Sequence, residues 1–139
     1  MRTRVLAAPR PRSGAGRGVG TDELEFADNQ AVIEFSDVVL LAIKPQQLSA
    51  VAPDLKFRSN QVVVSVLAGT TLAMLEAALQ PANVIRTMPN LAVRYGQGVV
   101  AEIGLDADIG AHEAWIRQAF ESMGALVSLS QEGLFDAVT

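Results

Sequence analysis

The chain contains no cysteine and one histidine, His112. A disulfide framework is excluded, and so is a thiolate acting as nucleophile or metal ligand. One histidine argues against His-rich metal sites and against Ser–His–Asp catalysis. Long apolar runs are also lacking. The longest, Val38 to Ile43, has the length of a strand and falls far short of the roughly 18–20 residues that span a membrane as a helix. Residues Val5 to Ala8 are too few for the apolar core of a secretory signal. These absences suit a cytoplasmic location without a membrane partner.

What is present is a globular composition. Half of the 139 residues are hydrophobic and the net charge is -4, which excludes disorder of the whole chain. The length fits one domain, with roughly two-thirds of its unfolded surface buried. The charge is uneven. Arg2, Arg4, Arg10, Arg12 and Arg17 fall in the first twenty residues without an acid, together with Pro9, Pro11 and four glycines. Proline and glycine at this density exclude a regular helix. Residues 1–18 are therefore set apart as an Arg/Pro/Gly-rich segment, with residues 19–139 as the domain. A solvated arm, an anion-binding element and a nucleic-acid tail or transit peptide all fit residues 1–18. Arginines without interleaved aromatics are a weak nucleic-acid signal, and no nucleic-acid partner is expected.

From Val19 onward strand-like and helix-like segments alternate. Asp28 or Asn29 suits the N-cap of a short helix through Phe35. Val38–Ile43 has the continuous apolar character of a strand buried on both faces. Pro45 favours a helix start, and Leu48, Val51, Ala52 and Leu55 form a helical stripe that Pro53 ends or kinks near Ala52. Val62–Leu67 is a second strand, Ala68-Gly69-Thr70 its turn, and Thr71 the cap of a helix that buries Leu72, Leu75, Ala78 and Leu79. Val84–Met88 is a third strand, stopped by Pro89-Asn90, and Gly98–Ile103 a fourth. A longer helix from about Ala107 to Met123 carries Ile109, Ile116, Ala119, Phe120 and Met123 on one stripe, with Asp106 and Asp108 at its N-terminus. Val127–Leu129 is a last strand.

This alternation predicts an α/β fold with a doubly wound, mostly parallel sheet. Ligands of such sheets lie beyond the carboxyl ends of the strands. Three turns then mark the candidate site: Ala42–Gln46, Ser65–Thr71 and Met88–Asn90. Lys44-Pro45 combines an ammonium with a helix start, which favours anions, or is a solvated lysine at a strand end. Gly69 allows close approach of a flat ligand, or is an ordinary turn glycine. Asn90 either pairs with an amide or satisfies its own turn. Trp115 is expected to be partly buried and His112 to face solvent. No metal site is expected.

The residues at these turns resemble the pyrroline-5-carboxylate reductase family. Ser36-Asp37-Val38-Val39-Leu40-Leu41-Ala42-Ile43-Lys44-Pro45-Gln46 is similar to a strand and turn of that family. So are Val63-Val64-Ser65-Val66-Leu67-Ala68-Gly69-Thr70, Arg86-Thr87-Met88-Pro89-Asn90 with Gly96 and Gly98, and Phe135-Asp136-Ala137-Val138-Thr139. The resemblance runs over residues 19–139 in order and spacing. It implies a Rossmann-type domain that binds NADPH, with NADH as the other candidate, and a hydride transfer to 1-pyrroline-5-carboxylate that yields L-proline. It implies that Asn29 touches the adenosine ribose, that Ala42, Lys44 and Pro45 line the dinucleotide, that Ala68 and Gly69 lie near the nicotinamide, and that Met88, Pro89 and Asn90 hold its carboxamide side. It implies no catalytic side chain.

The chain also departs from that family. The Gly-x-Gly-x-x-Gly turn is missing, since Gly14-Ala15-Gly16-Arg17-Gly18 has no strand–turn–helix around it. Arg4–Ala8 matches the family's second strand only weakly, and this match sets Arg10 or Arg12 to meet a 2′-phosphate. Leu91-Ala92 stands where the family has Thr-Pro. The expected domain is thus a partial dinucleotide-binding domain, incomplete at its N-terminal end and without the helical substrate domain. A homo-oligomer is expected only of the full-length family protein. The alternative reading is a truncated, non-catalytic Rossmann-type binding module.

Overall fold

A computed structural model describes residues 3–7, 29–105 and 109–138 of the chain. They form six strands in one sheet: β1 (Thr3–Ala7), β2 (Val38–Ala42), β3 (Val62–Ser65), β4 (Asn83–Pro89), β5 (Gly98–Ile103) and β6 (Gly124–Ser128). Five α-helices accompany them: α1 (Asn29–Glu34), α2 (Leu48–Val51), α3 (Leu72–Leu79), α4 (His112–Glu121) and α5 (Phe135–Val138). The strands lie side by side in chain order. All neighbours are parallel except β4 and β5. Only the eight positions Asn90 to Gln97 separate these two strands, and a parallel crossover needs a dozen or more.

The apolar runs of β2 and β3 are buried because both faces of the sheet are covered. Val39, Leu41, Val63 and Val84 pack on one face beneath Ile33 of α1, Leu48 of α2 and Leu75 and Leu79 of α3. Val38, Val62, Val64, Ile85 and Val100 pack on the other beneath Ile116 and Phe120 of α4. Each such side chain contributes roughly 1.5–3 kcal/mol when fully buried. The expected α/β layering is therefore present.

Several boundaries differ from expectation. The helix after Pro45 is α-helical only over Leu48–Val51. It is flanked by 3-10 turns at Pro45–Gln47 and Ala52–Asp54, because Pro53 removes a backbone donor in the second turn. β2 ends at Ala42 and β3 at Ser65, short of Ile43 and Leu67, although Val66 N–H still donates to Leu41 O at 3.2 Å. α4 is shorter than the expected helix, and Met123 is 37% exposed, off the core. Trp115 is 39% exposed on α4, and His112, its first residue, is half-buried. Of the stretch expected over Arg4–Ala8, the residues up to Ala7 lie in β1, and Ala8 lies outside the described residues. Asp28, Arg10, Arg12, Asp106, Asp108 and the glycine-rich Gly14–Gly18 lie outside the described residues. No described helix is long and apolar enough to cross a membrane.

Candidate functional site

The register fixes where the three turns sit. Leu41 of β2 is aligned with Ser65 of β3, and Ser65 with Arg86 of β4. Ala42 and Lys44 follow this row by one and three residues, Ala68 and Gly69 by three and four, and Met88, Pro89 and Asn90 by two to four. All three turns therefore leave the same carboxyl edge. Strand spacing of about 4.8 Å puts the outer two roughly 10 Å apart at that edge.

Each turn is held by its own sequence. Lys44 is exposed and extended, with φ -71° and ψ 139°, and precedes the 3-10 turn at Pro45. Its N–H donates to Gln47 Oε1 at 3.2 Å, and its carbonyl accepts from Gln47 N–H at 2.8 Å. In the second turn Ser65 Oγ accepts from Leu67 N–H at 3.3 Å, and Thr71 Oγ1 caps α3 by accepting from Met74 N–H at 3.2 Å. Ala68 and Gly69 between them are exposed. Gly69 has φ +67°, and a Cβ placed there would meet nothing within 4 Å. The glycine is demanded by backbone conformation, and the space above it is open to a ligand. In the third turn Asn90 Oδ1 accepts from Ala92 N–H and Val99 N–H, each at 3.2 Å. Its oxygen thus satisfies its own turn, while its amide Nδ2 makes no hydrogen bond among the described residues. The turn reading of Asn90 is therefore the one observed, at its oxygen. Met88 and Pro89 are partly buried at the end of β4.

Asn29 stands apart. It opens α1 and lines a shallow depression of about 360 Å³ with Gln30, Ala50, Val51, Asp54 and Leu55. None of the other eight candidates lines that depression.

Sequence reasoning missed a cluster beside the site. Arg86 is buried on β4, and its Nη1 donates to Glu132 Oε1 at 2.7 Å. The same oxygen accepts from Leu72 N–H, the first residue of α3, at 2.6 Å. The guanidinium lies 4.1 Å from the centre of the Phe135 ring, and Phe135 is buried. The available signal was an arginine inside an apolar strand, which requires a carboxylate from somewhere. No group of three His, Cys, Asp or Glu side chains fit for a metal occurs among the described residues.

A protein family described as "NADP oxidoreductase coenzyme F420-dependent" matches residues 19–69. The pyrroline-5-carboxylate reductase of Methanosarcina acetivorans is 36% identical over 117 residues, 81% of this chain and 42% of the relative. That of Pseudomonas aeruginosa is 39% identical over 119 residues, 80% of this chain and 42% of the relative. The crystal structure of 1-pyrroline-5-carboxylate reductase from Streptococcus pyogenes superposes with a TM-score of 0.69 at 30% identity, over 79% of this chain and 42% of that one. By sequence and fold, the chain is similar to one part of the pyrroline-5-carboxylate reductases. It spans about two-fifths of the length of the curated relatives it matches. The fold it shares with the Streptococcus pyogenes reductase is the mostly parallel α/β sheet described above.

Proposed function

We propose that this chain is the dinucleotide-holding part of an NADPH-dependent pyrroline-5-carboxylate reductase, with all three turns of the site within residues 19–139. The observation that carries this reading is the common row from which three turns leave one carboxyl edge, with the residue order of the reductases. The residues present fit a dinucleotide. Gly69 offers open space over a backbone without Cβ, Asn90 keeps an amide donor for a carboxamide oxygen, and Lys44 sets an exposed ammonium at the first turn. Ala42, Lys44 and Pro45 then line the dinucleotide. Ala68 and Gly69 lie against the nicotinamide, Met88, Pro89 and Asn90 against its carboxamide, and Asn29 against the adenosine ribose. When bound, the reduced dinucleotide supplies the hydride. The chain's own residues bind and orient it, which converts binding geometry into rate. The substrate class of the reading is the cyclic imine 1-pyrroline-5-carboxylate, the product L-proline, and the location cytoplasmic.

Fluorescence titration with NADPH, and with NADH beside it, tests this. The chain should bind NADPH saturably at about 1–100 μM, or about -8.2 to -5.5 kcal/mol. Asn90→Asp keeps the acceptor for Ala92 and Val99 but loses the amide donor. It should leave the fold intact and weaken NADPH about tenfold. No saturation up to millimolar NADPH contradicts the reading and favours a module without reductase chemistry.

A further inference from the structure

We propose that Glu132 is a positioning residue for the nicotinamide side of the site, because one of its carboxylate oxygens bonds the residues that flank two of the three turns. Resting on the dinucleotide reading above, the inference concerns a residue outside all three turns. Glu132 lies in a 3-10 turn, Glu132–Leu134, that leads into α5. Its Oε1 accepts from Leu72 N–H at 2.6 Å and from Arg86 Nη1 at 2.7 Å. Leu72 directly follows the turn that carries Ala68 and Gly69. Arg86 stands two residues before Met88 and four before Asn90.

The contact is specific on both sides. The amides of a helix's first turn lack intrahelical acceptors and favour an anion. Thr71 supplies an acceptor to Met74 in that turn, and Glu132 supplies one to Leu72. Arg86 has an 8% exposed side chain, and its Nε is buried without a hydrogen-bond partner among the described residues. A buried guanidinium with one donor already unpaired depends on the charge that Glu132 provides. The Phe135 ring, stacked on the same guanidinium, anchors the segment that presents the carboxylate. The Lys44–Pro45 turn makes no contact with this cluster in the hydrogen bonds and ion pairs of the described residues. Loss of the carboxylate should therefore loosen Ala68–Gly69 and Met88–Asn90 against each other and leave the first turn in place.

This separation gives the test. NADPH and 2′-phospho-ADP-ribose, which lacks the nicotinamide, are titrated into the full 139-residue chain and into Glu132→Ala and Glu132→Gln. Amide exchange at Leu72 is followed in parallel. Glu132→Ala should weaken NADPH about tenfold, change 2′-phospho-ADP-ribose less than twofold, and speed exchange at Leu72. Glu132→Gln retains an oxygen acceptor and should recover part of the NADPH affinity. If Glu132→Ala does not fold, Glu132→Gln against the unaltered chain carries the same comparison, with a smaller loss confined to NADPH. Equal weakening of both ligands, or no weakening of either, overturns the inference while leaving the dinucleotide reading intact. An unaltered chain that binds neither ligand overturns both.

Discussion

Replacing Gly124 by alanine is expected to destabilise the chain by about 4 kcal/mol. Gly124 opens β6 directly opposite Gly98, the first residue of β5. Its φ is +135°, and a Cβ there would stand 2.6 Å from Gly98 N and nearer still to Gly98 O. Strain and backbone collision thus act together, and neither is relieved by turning a side chain. Gly98 meets the same limit from the other side, since its own Cβ would lie 2.5 Å from Val93 N. The consequence reaches the site. The next residue, Val99, exchanges two hydrogen bonds with Asn90, through Asn90 N–H at 3.1 Å and Asn90 Oδ1 at 3.2 Å. A shift of Gly98 moves the third turn with it. Urea unfolding followed by circular dichroism should show a lower midpoint at unchanged slope. A loss below about 1 kcal/mol would mean that β5 and β6 do not approach this closely.

The second large effect is expected at Gln61, where Gln61→Leu should cost about 3 kcal/mol. Gln61 is fully buried just ahead of β3. Its Nε2 donates to Ile33 O at 2.7 Å and Ser36 O at 2.8 Å, and its Oε1 accepts from Arg58 N–H at 2.7 Å. The amide thereby joins the end of α1, the entry to β2 and the loop before β3. Leucine keeps nearly the same volume, so the loss measures the three hydrogen bonds and the unpaired Arg58 amide. A thermal or urea measurement giving less than about 1 kcal/mol would show that water replaces these bonds.

The parts of the fold that rest on local pattern were legible in advance. β2 and β3 announce themselves as β-branched apolar runs, and Thr71 caps α3 as its position requires. The antiparallel step between β4 and β5 was implicit in the short connection after Asn90, but composition alone does not display it. The 3-10 turn Leu91–Tyr95 has no apolar periodicity to reveal it, since i and i+3 positions in so short a piece bury little. Asn90 was the visible signal, and its cap is what the turn uses. At the site, the three turns could be placed because each directly follows a strand, and strand ends align in a parallel sheet. Glu132 could not, because it reaches Arg86 across 46 residues and Leu72 across 60. Only the tertiary fold brings these groups together. Asn29 was assigned through resemblance, and its surroundings between α1 and α2 differ from those of the other eight candidates.

Hydrogen exchange of the chain with and without saturating NADPH tests the central claim most directly, since each turn reports separately. The account predicts slower exchange at residues 42–47, 66–71 and 88–92 together, with β6 and α4 unchanged. Binding that leaves those three turns unaltered, or that protects only the depression between α1 and α2, would contradict it.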